Sequence, residues 1–147
     1  MNLKKRKKGF TLIELMAVIA IIAVLAAVLV PTVNGYITRS KKTAILTQVR
    51  NAVTAIETHN ATVVGTNVIS DSRSVSDALS TSKSNNGPKL EADFLKESDI
   101  DRLGSMTIYV AKKINDDPNA ISKIELDSNT GVATKYNEKE VTVTTGL

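Results

Sequence analysis

Between Phe10 and Val30 the chain runs for 21 residues with a single charge, Glu14, and Pro31 follows directly. At about 1.5 Å per residue, a helix of that length measures roughly 32 Å, enough to cross the hydrocarbon core of a bilayer. From Thr32 to about Asn60 the pattern turns amphipathic. Val33, Ile37, Ile45, Val49 and Val53 recur mostly at four-residue spacing, and Ala52 and Ile56 widen the stripe. Arg39, Lys41, Lys42, Gln48, Arg50 and Glu57 occupy the other faces. Together these patterns predict one long helix whose first half lies in lipid or among neighbours, while its second half backs a globular domain.

Beyond the helix the signals are shorter. Ala61 to Ser70 is rich in β-branched residues and predicts a short strand. Ser74, with Asp77 three residues on, reads as a variant capping box for a short helix carrying Val75, Ala78 and Leu79. Ser80 to Gly87 reads as a polar loop, Leu90 to Lys96 as another short helix with Phe94 and Leu95 inward, and Ser98 to Gly104 as a capped turn closed by glycine. Strands follow. Met106, Ile108 and Val110 alternate, then Ser122, Ile124 and Leu126, then Val132, Thr134 and Tyr136, with Val141 and Val143 last. Turns at Asn115–Asn119 and Asp127–Gly131 make the links short, so the sheet is expected to be an antiparallel meander with one face on the amphipathic helix.

Charge changes the picture mainly at the N-terminus. The formal net charge is +4, but the five cations Lys4, Lys5, Arg6, Lys7 and Lys8 precede Gly9. After Gly9, fourteen basic residues face fifteen acidic ones, close to balance. The basic excess therefore belongs to a targeting signal and not to a phosphate-binding face, and no specific nucleic-acid partner is expected. An ordinary secretory signal fits poorly: the apolar run exceeds the usual ~7–15 residues and offers no Ala-x-Ala site. The leader cations outnumber Arg39, Lys41 and Lys42 beyond the run, which predicts a cytoplasmic N-terminus. Glu14 is costly inside the segment, about 2.5–3.5 kcal/mol at mid-membrane and less near the interface, and so calls for a partner. Ala20, Ala23 and Ala27 share one helical face and allow close helix approach. Pro31 and Gly35 mark a weak point for kinking or local melting.

Candidate chemistry is sparse. The chain has no cysteine and one histidine, His59, which reads as solvated or capping. Asp116-Asp117 and Asp127-x-Asn129 are acidic turns that do not complete a calcium loop, and Asn60-Ala61-Thr62 fits the glycosylation sequon. No catalytic constellation and no cofactor or metal site are expected.

The stretch Gly9-Phe10-Thr11-Leu12-Ile13-Glu14, behind a short basic leader, resembles the leader-peptide junction of type IV pilins and related pseudopilins. The resemblance extends through Pro31 and covers roughly residues 1–60; lacking cysteine, the chain looks closer to the pilins of Gram-positive bacteria. It implies an α+β pilin fold: a long N-terminal helix with a three- or four-stranded antiparallel sheet packed on its C-terminal half. The expected parts are a leader at 1–9, a membrane and assembly helix at 10–31, the amphipathic half of the same helix at 32–60 and a head domain at 61–147. It further implies cleavage between Gly9 and Phe10 by a prepilin peptidase, methylation of the new Phe10 amine, and pairing of Glu14 with the Phe10 amine of an adjacent subunit. The partners so implied are membrane lipid before assembly, copies of the same chain through residues 10–60, an assembly platform and its ATPase. The product would be an extracellular fibre for adhesion, twitching motility, biofilm formation or DNA uptake. A pseudopilin of a type II secretion or competence system is the nearest alternative reading. A membrane-anchored binding protein that never polymerises is a remoter one, and an enzyme the remotest.

Overall fold

The computed structural model describes residues 9–79, 87–90 and 94–144. The chain divides into two compact units, Met1–Thr38 and Arg39–Leu147. Helix α1, Leu12–Thr62, contributes to both, as the sequence pattern predicts. In the first unit α1 has apolar residues on every side, and none of its most apolar window is buried.

In the second unit α1 supplies Ile45, Val49, Ala52, Val53, Ala55 and Ile56 to one hydrophobic core. The buried stripe begins at Ile45; Val33 and Ile37, read as part of it, are both 47% exposed. The core also takes Ile108, Val110, Ala111 and Ile114 from α2 (Ile108–Asp116), with Ala120 from the single turn α3 (Ala120–Lys123). Strands β1 (Ile124–Leu126), β2 (Ala133–Tyr136) and β3 (Lys139–Glu140) form an antiparallel sheet in the order β1-β2-β3, and Ile124, Ala133 and Tyr136 face the same core. The result is the expected α+β pilin-like architecture, a long N-terminal helix with a three-stranded antiparallel meander.

Several local expectations are corrected. The alternation of Met106, Ile108 and Val110 does not make a strand: Thr107 caps α2, its Oγ1 accepting the Val110 N–H at 3.4 Å. The helix wins because Ile108, Ala111 and Ile114, three apart, all reach the core. Ser122 likewise lies in α3, outside the strand. The last strand is Lys139–Glu140 rather than Val141–Val143, because Asn137 and Glu138, at φ 51° and 67°, close the hairpin in two residues. The Val141 and Val143 carbonyls turn instead to Thr107, which donates its N–H to the first at 2.9 Å and its hydroxyl to the second at 2.6 Å.

Residues 61–70 hold no strand. Helix α1 runs to Thr62 and a 3-10 turn covers Gly65–Asn67. The Asn60 amide makes both bonds that a strand neighbour would make to Ile69, donating to its carbonyl at 3.0 Å and accepting its N–H at 2.8 Å. Ser74 Oγ does accept the Asp77 N–H, at 3.1 Å, ahead of a 3-10 turn at Ser76–Ala78. Leu90 and residues 94–96 are not helical, and Phe94 is 45% exposed while Leu95 is buried; residues 91–93 and the predicted loop at 80–86 lie outside the described residues. The turn before Gly104 forms as expected, and Gly104 takes φ +55° with Val132 Cγ1 only 2.8 Å from where a Cβ would sit.

The candidate assembly segment

The first turn of α1 carries a contact that the sequence reading passed over. Thr11 precedes the helix and Glu14 is its third residue. Glu14 Oε2 accepts the Thr11 N–H at 2.9 Å and the Thr11 hydroxyl at 2.7 Å, while the Glu14 N–H points back to Thr11 Oγ1 at 3.3 Å. This is the reciprocal arrangement of a capping box, and its Thr-x-x-Glu spacing was legible in the sequence. The carboxylate near the start of the apolar run thus has partners within its own chain. A carboxylate is also well placed there electrostatically, beside the unpaired N–H groups of a helix start.

Around this polar cap the surface is wholly apolar. Phe10 is 84% exposed, and so in lesser measure are Leu12, Ile13, Leu15, Met16 and the large residues onward to Val30. Ala20, Ile21, Val24 and Leu25 line a shallow groove on the helix, and Ala20 also belongs to the small-residue face read from the sequence. Such a surface is far larger than the few hundred Å² that isolated water-soluble proteins tolerate, so it requires lipid or other apolar helices around it. α1 is assigned as helix through Pro31, where the missing proline N–H leaves the Ala27 carbonyl without its usual donor. Thr32 Oγ1 meanwhile donates to the Val28 carbonyl at 3.2 Å, and the space beside Gly35 is open.

The remaining candidates are structural. Asp117 accepts the Lys123 ammonium at 2.6 Å, the Tyr136 hydroxyl at 2.6 Å and the Asn119 N–H at 2.8 Å. These bonds, Lys123 first, draw its pKa down to about 2. Burial, with the Asp117 charge beside it, pushes the Tyr136 hydroxyl well above the usual phenol range. Asp127 Oδ1 accepts from the Thr130 N–H, the Thr130 hydroxyl and the Asn129 N–H, which hold its carboxyl below the usual range. Asp127 thus spends Oδ1 on its own turn, while Asp117 ties its turn to α3 and β2. His59 Nε2 lies 3.3 Å from the Asn67 carbonyl, close to the end of α1.

Residues 4–30 match the family model described as the prokaryotic N-terminal methylation motif. Over 56 residues the chain is 48% identical to a type IV major fimbrial protein FimA of Dichelobacter nodosus, covering 38% of this chain and 36% of that protein. It is 47% identical over 51 residues to fimbrial protein Q of Moraxella bovis, 35% and 32% of the two chains. It is 42% identical over 66 residues to a fimbrial protein of Pseudomonas aeruginosa, 45% and 42% of the two. These matches span about a third to two-fifths of the length of the curated relatives. No solved structure matches the chain significantly. The named relatives are all fimbrial proteins.

Proposed function

We propose that this chain, whose N-terminal third is that of a type IV pilin, is the structural subunit of a type IV pilus. The observation that carries the reading is the surface from Phe10 to Val30, apolar on every side and capped by one carboxylate. In this reading a prepilin peptidase cuts between Gly9 and Phe10 and methylates the Phe10 amine. Cutting there removes the five leader cations and keeps the apolar helix, so the subunit waits in the cytoplasmic membrane with its N-terminus on the cytoplasmic side. An assembly platform with its ATPase then exchanges the lipid around residues 10–30 for contacts with other copies, and the fibre emerges outside the cell.

Glu14 directs that exchange. Within a bundle of apolar helices an unpaired carboxylate or ammonium is costly, whereas a matched pair is tolerated. A new subunit therefore fits where its Glu14 meets a Phe10 amine, which fixes register more than it adds stability. Pro31 and Gly35 let α1 bend or locally melt when the helices pack. Mass spectrometry of the purified protein tests the processing: the expected N-terminus is methylated Phe10, and a chain retaining residues 1–9 overturns it. Electron microscopy of sheared surface material, labelled with antibody to residues 61–147, tests the fibre. Label along long filaments is expected; label confined to the membrane fraction would favour a pseudopilin or a plain anchor.

A further inference from the structure

In the second unit Lys41 and Arg102 converge, Arg39 and Lys42 lie beside Lys41 in the chain, and none of the four has an ion-pair partner among the described residues. Arg39, Lys41 and Lys42 follow Ile37 within five residues on α1. The fourth, Arg102, is brought to Lys41 by the fold. Gln48 Oε1 accepts the Arg102 N–H at 3.0 Å, and Gln48 Nε2 donates to Asp101 Oδ1 at 2.5 Å, so α1 itself fixes this loop. Lys41 and Arg102 then lean over the same buried glycine, Gly131. The point that a Cβ on Gly131 would occupy lies 3.3 Å from Lys41 Cδ and 3.4 Å from Arg102 Nη1.

No ion pair joins these cations to a carboxylate among the described residues: Asp101 Oδ1 accepts from Gln48, and Asp127 Oδ1 from its own turn. Elsewhere in the unit lysines do find acids, as in Lys112–Asp71 at 2.8 Å and Lys123–Asp117 at 2.6 Å. Like charges held together without a counter-ion are unfavourable, and an external anion relieves them.

We propose that Arg39, Lys41, Lys42 and Arg102 form a docking surface for anionic phospholipid headgroups, seating the globular unit on the membrane before assembly. The proposal rests on the reading that residues 10–30 insert. Tyr36, 71% exposed, stands three residues before the first cation, and aromatic residues favour the membrane interface. Cations beyond the span also oppose the positive-inside bias, a cost that headgroup contacts offset. Arg39 and Arg102 offer forked donors to a phosphate, while the lysines act as point charges. Each cation near an anionic surface strengthens such an association roughly fivefold. Extraction into the fibre breaks these contacts, so the surface also sets how tightly the waiting subunit is held.

The test uses the processed full chain in lipid nanodiscs, either pure phosphatidylcholine or with roughly a third phosphatidylglycerol, read by amide hydrogen exchange at residues 100–104 and 127–134. Slower exchange is expected in the anionic discs at about 50 mM salt, with the difference lost at about 500 mM. The combined Arg39→Gln, Lys41→Gln, Lys42→Gln and Arg102→Gln variant is expected to exchange alike in both discs, while Lys41→Arg with Lys42→Arg keeps the difference. Equal exchange of the native chain in both discs overturns the proposal. So does protection by inorganic phosphate in neutral discs, which would mark a free-anion site, or protection that grows with subunit density, which would mark a second copy. Incorporation into neutral discs is scored separately, so failure of residues 10–30 to insert is distinguished from failure of the headgroup contact.

Discussion

Thr107 is the polar side chain buried among the described residues, and its replacement tests the head most sharply. Its hydroxyl accepts the Val110 N–H as the cap of α2 and donates to the Val143 carbonyl at 2.6 Å. Without a cysteine, this residue is what ties the segment after β3 to the start of α2. Thr107→Val keeps the shape and removes both bonds. Loss of the cap costs about 1 kcal/mol. Leaving the Val143 carbonyl without its donor costs about another 1 kcal/mol, the low end of the range because Val143 is only partly buried. A total of about 2 kcal/mol corresponds to a fall in Tm of roughly 8 °C for a unit of this size. Near-ultraviolet ellipticity of the full chain in detergent, which reports Tyr109 and Tyr136 in the second unit, is the assay. Thr107→Ser, which keeps the hydroxyl, is expected to lose less than half as much. The reasoning is refuted if Thr107→Val melts with the native chain, or if serine is as damaging as valine.

Acid acts through Asp117. Its folded pKa lies below its ordinary value, so the stabilisation is complete above that ordinary value and is lost as pH falls through about 4 towards about 2. A pH series of melts is expected to show this loss in the native chain and a flatter acid limb in Asp117→Asn; parallel limbs would exclude the residue. At the β2–β3 turn, Glu138 occupies φ 67° with a full side chain. Glu138→Gly is expected to raise stability by about 0.5–1 kcal/mol, relief of left-handed strain outweighing the added freedom of the unfolded chain, and urea unfolding at constant slope measures it.

The long helix and the hairpin strands β1 and β2 were legible because their periods persist over many residues or sit between clear turns. Where the reading failed, a single side chain decided. Met106, Ile108 and Val110 alternate as a strand would, yet the Thr107 cap commits the backbone to a helix. The β-branched stretch after Thr62 lacks a strand because Asn60 supplies the pairing that Ile69 needs. At the N-terminus, Glu14 was legible as an anomaly in an apolar run, but its Thr11 partner was missed although the capping spacing lay in plain view. The cluster of Lys41 and Arg102 was beyond sequence reading, since 61 positions separate them and tertiary contacts such as the Gln48 bridge bring them together.

The central claim is that residues 10–30 trade lipid for copies of themselves with Glu14 setting the fit. It is tested most directly by Glu14→Ala in the producing cells, comparing the processed membrane pool with sheared fibres. Removing the carboxylate leaves a buried amine unpaired at each contact, a cost of about 3–5 kcal/mol, where about 1.4 kcal/mol already means tenfold. The account predicts a normal, cleaved and membrane-inserted pool with fibres reduced by at least about tenfold. Fibres of native abundance and geometry from the Glu14→Ala chain would contradict it.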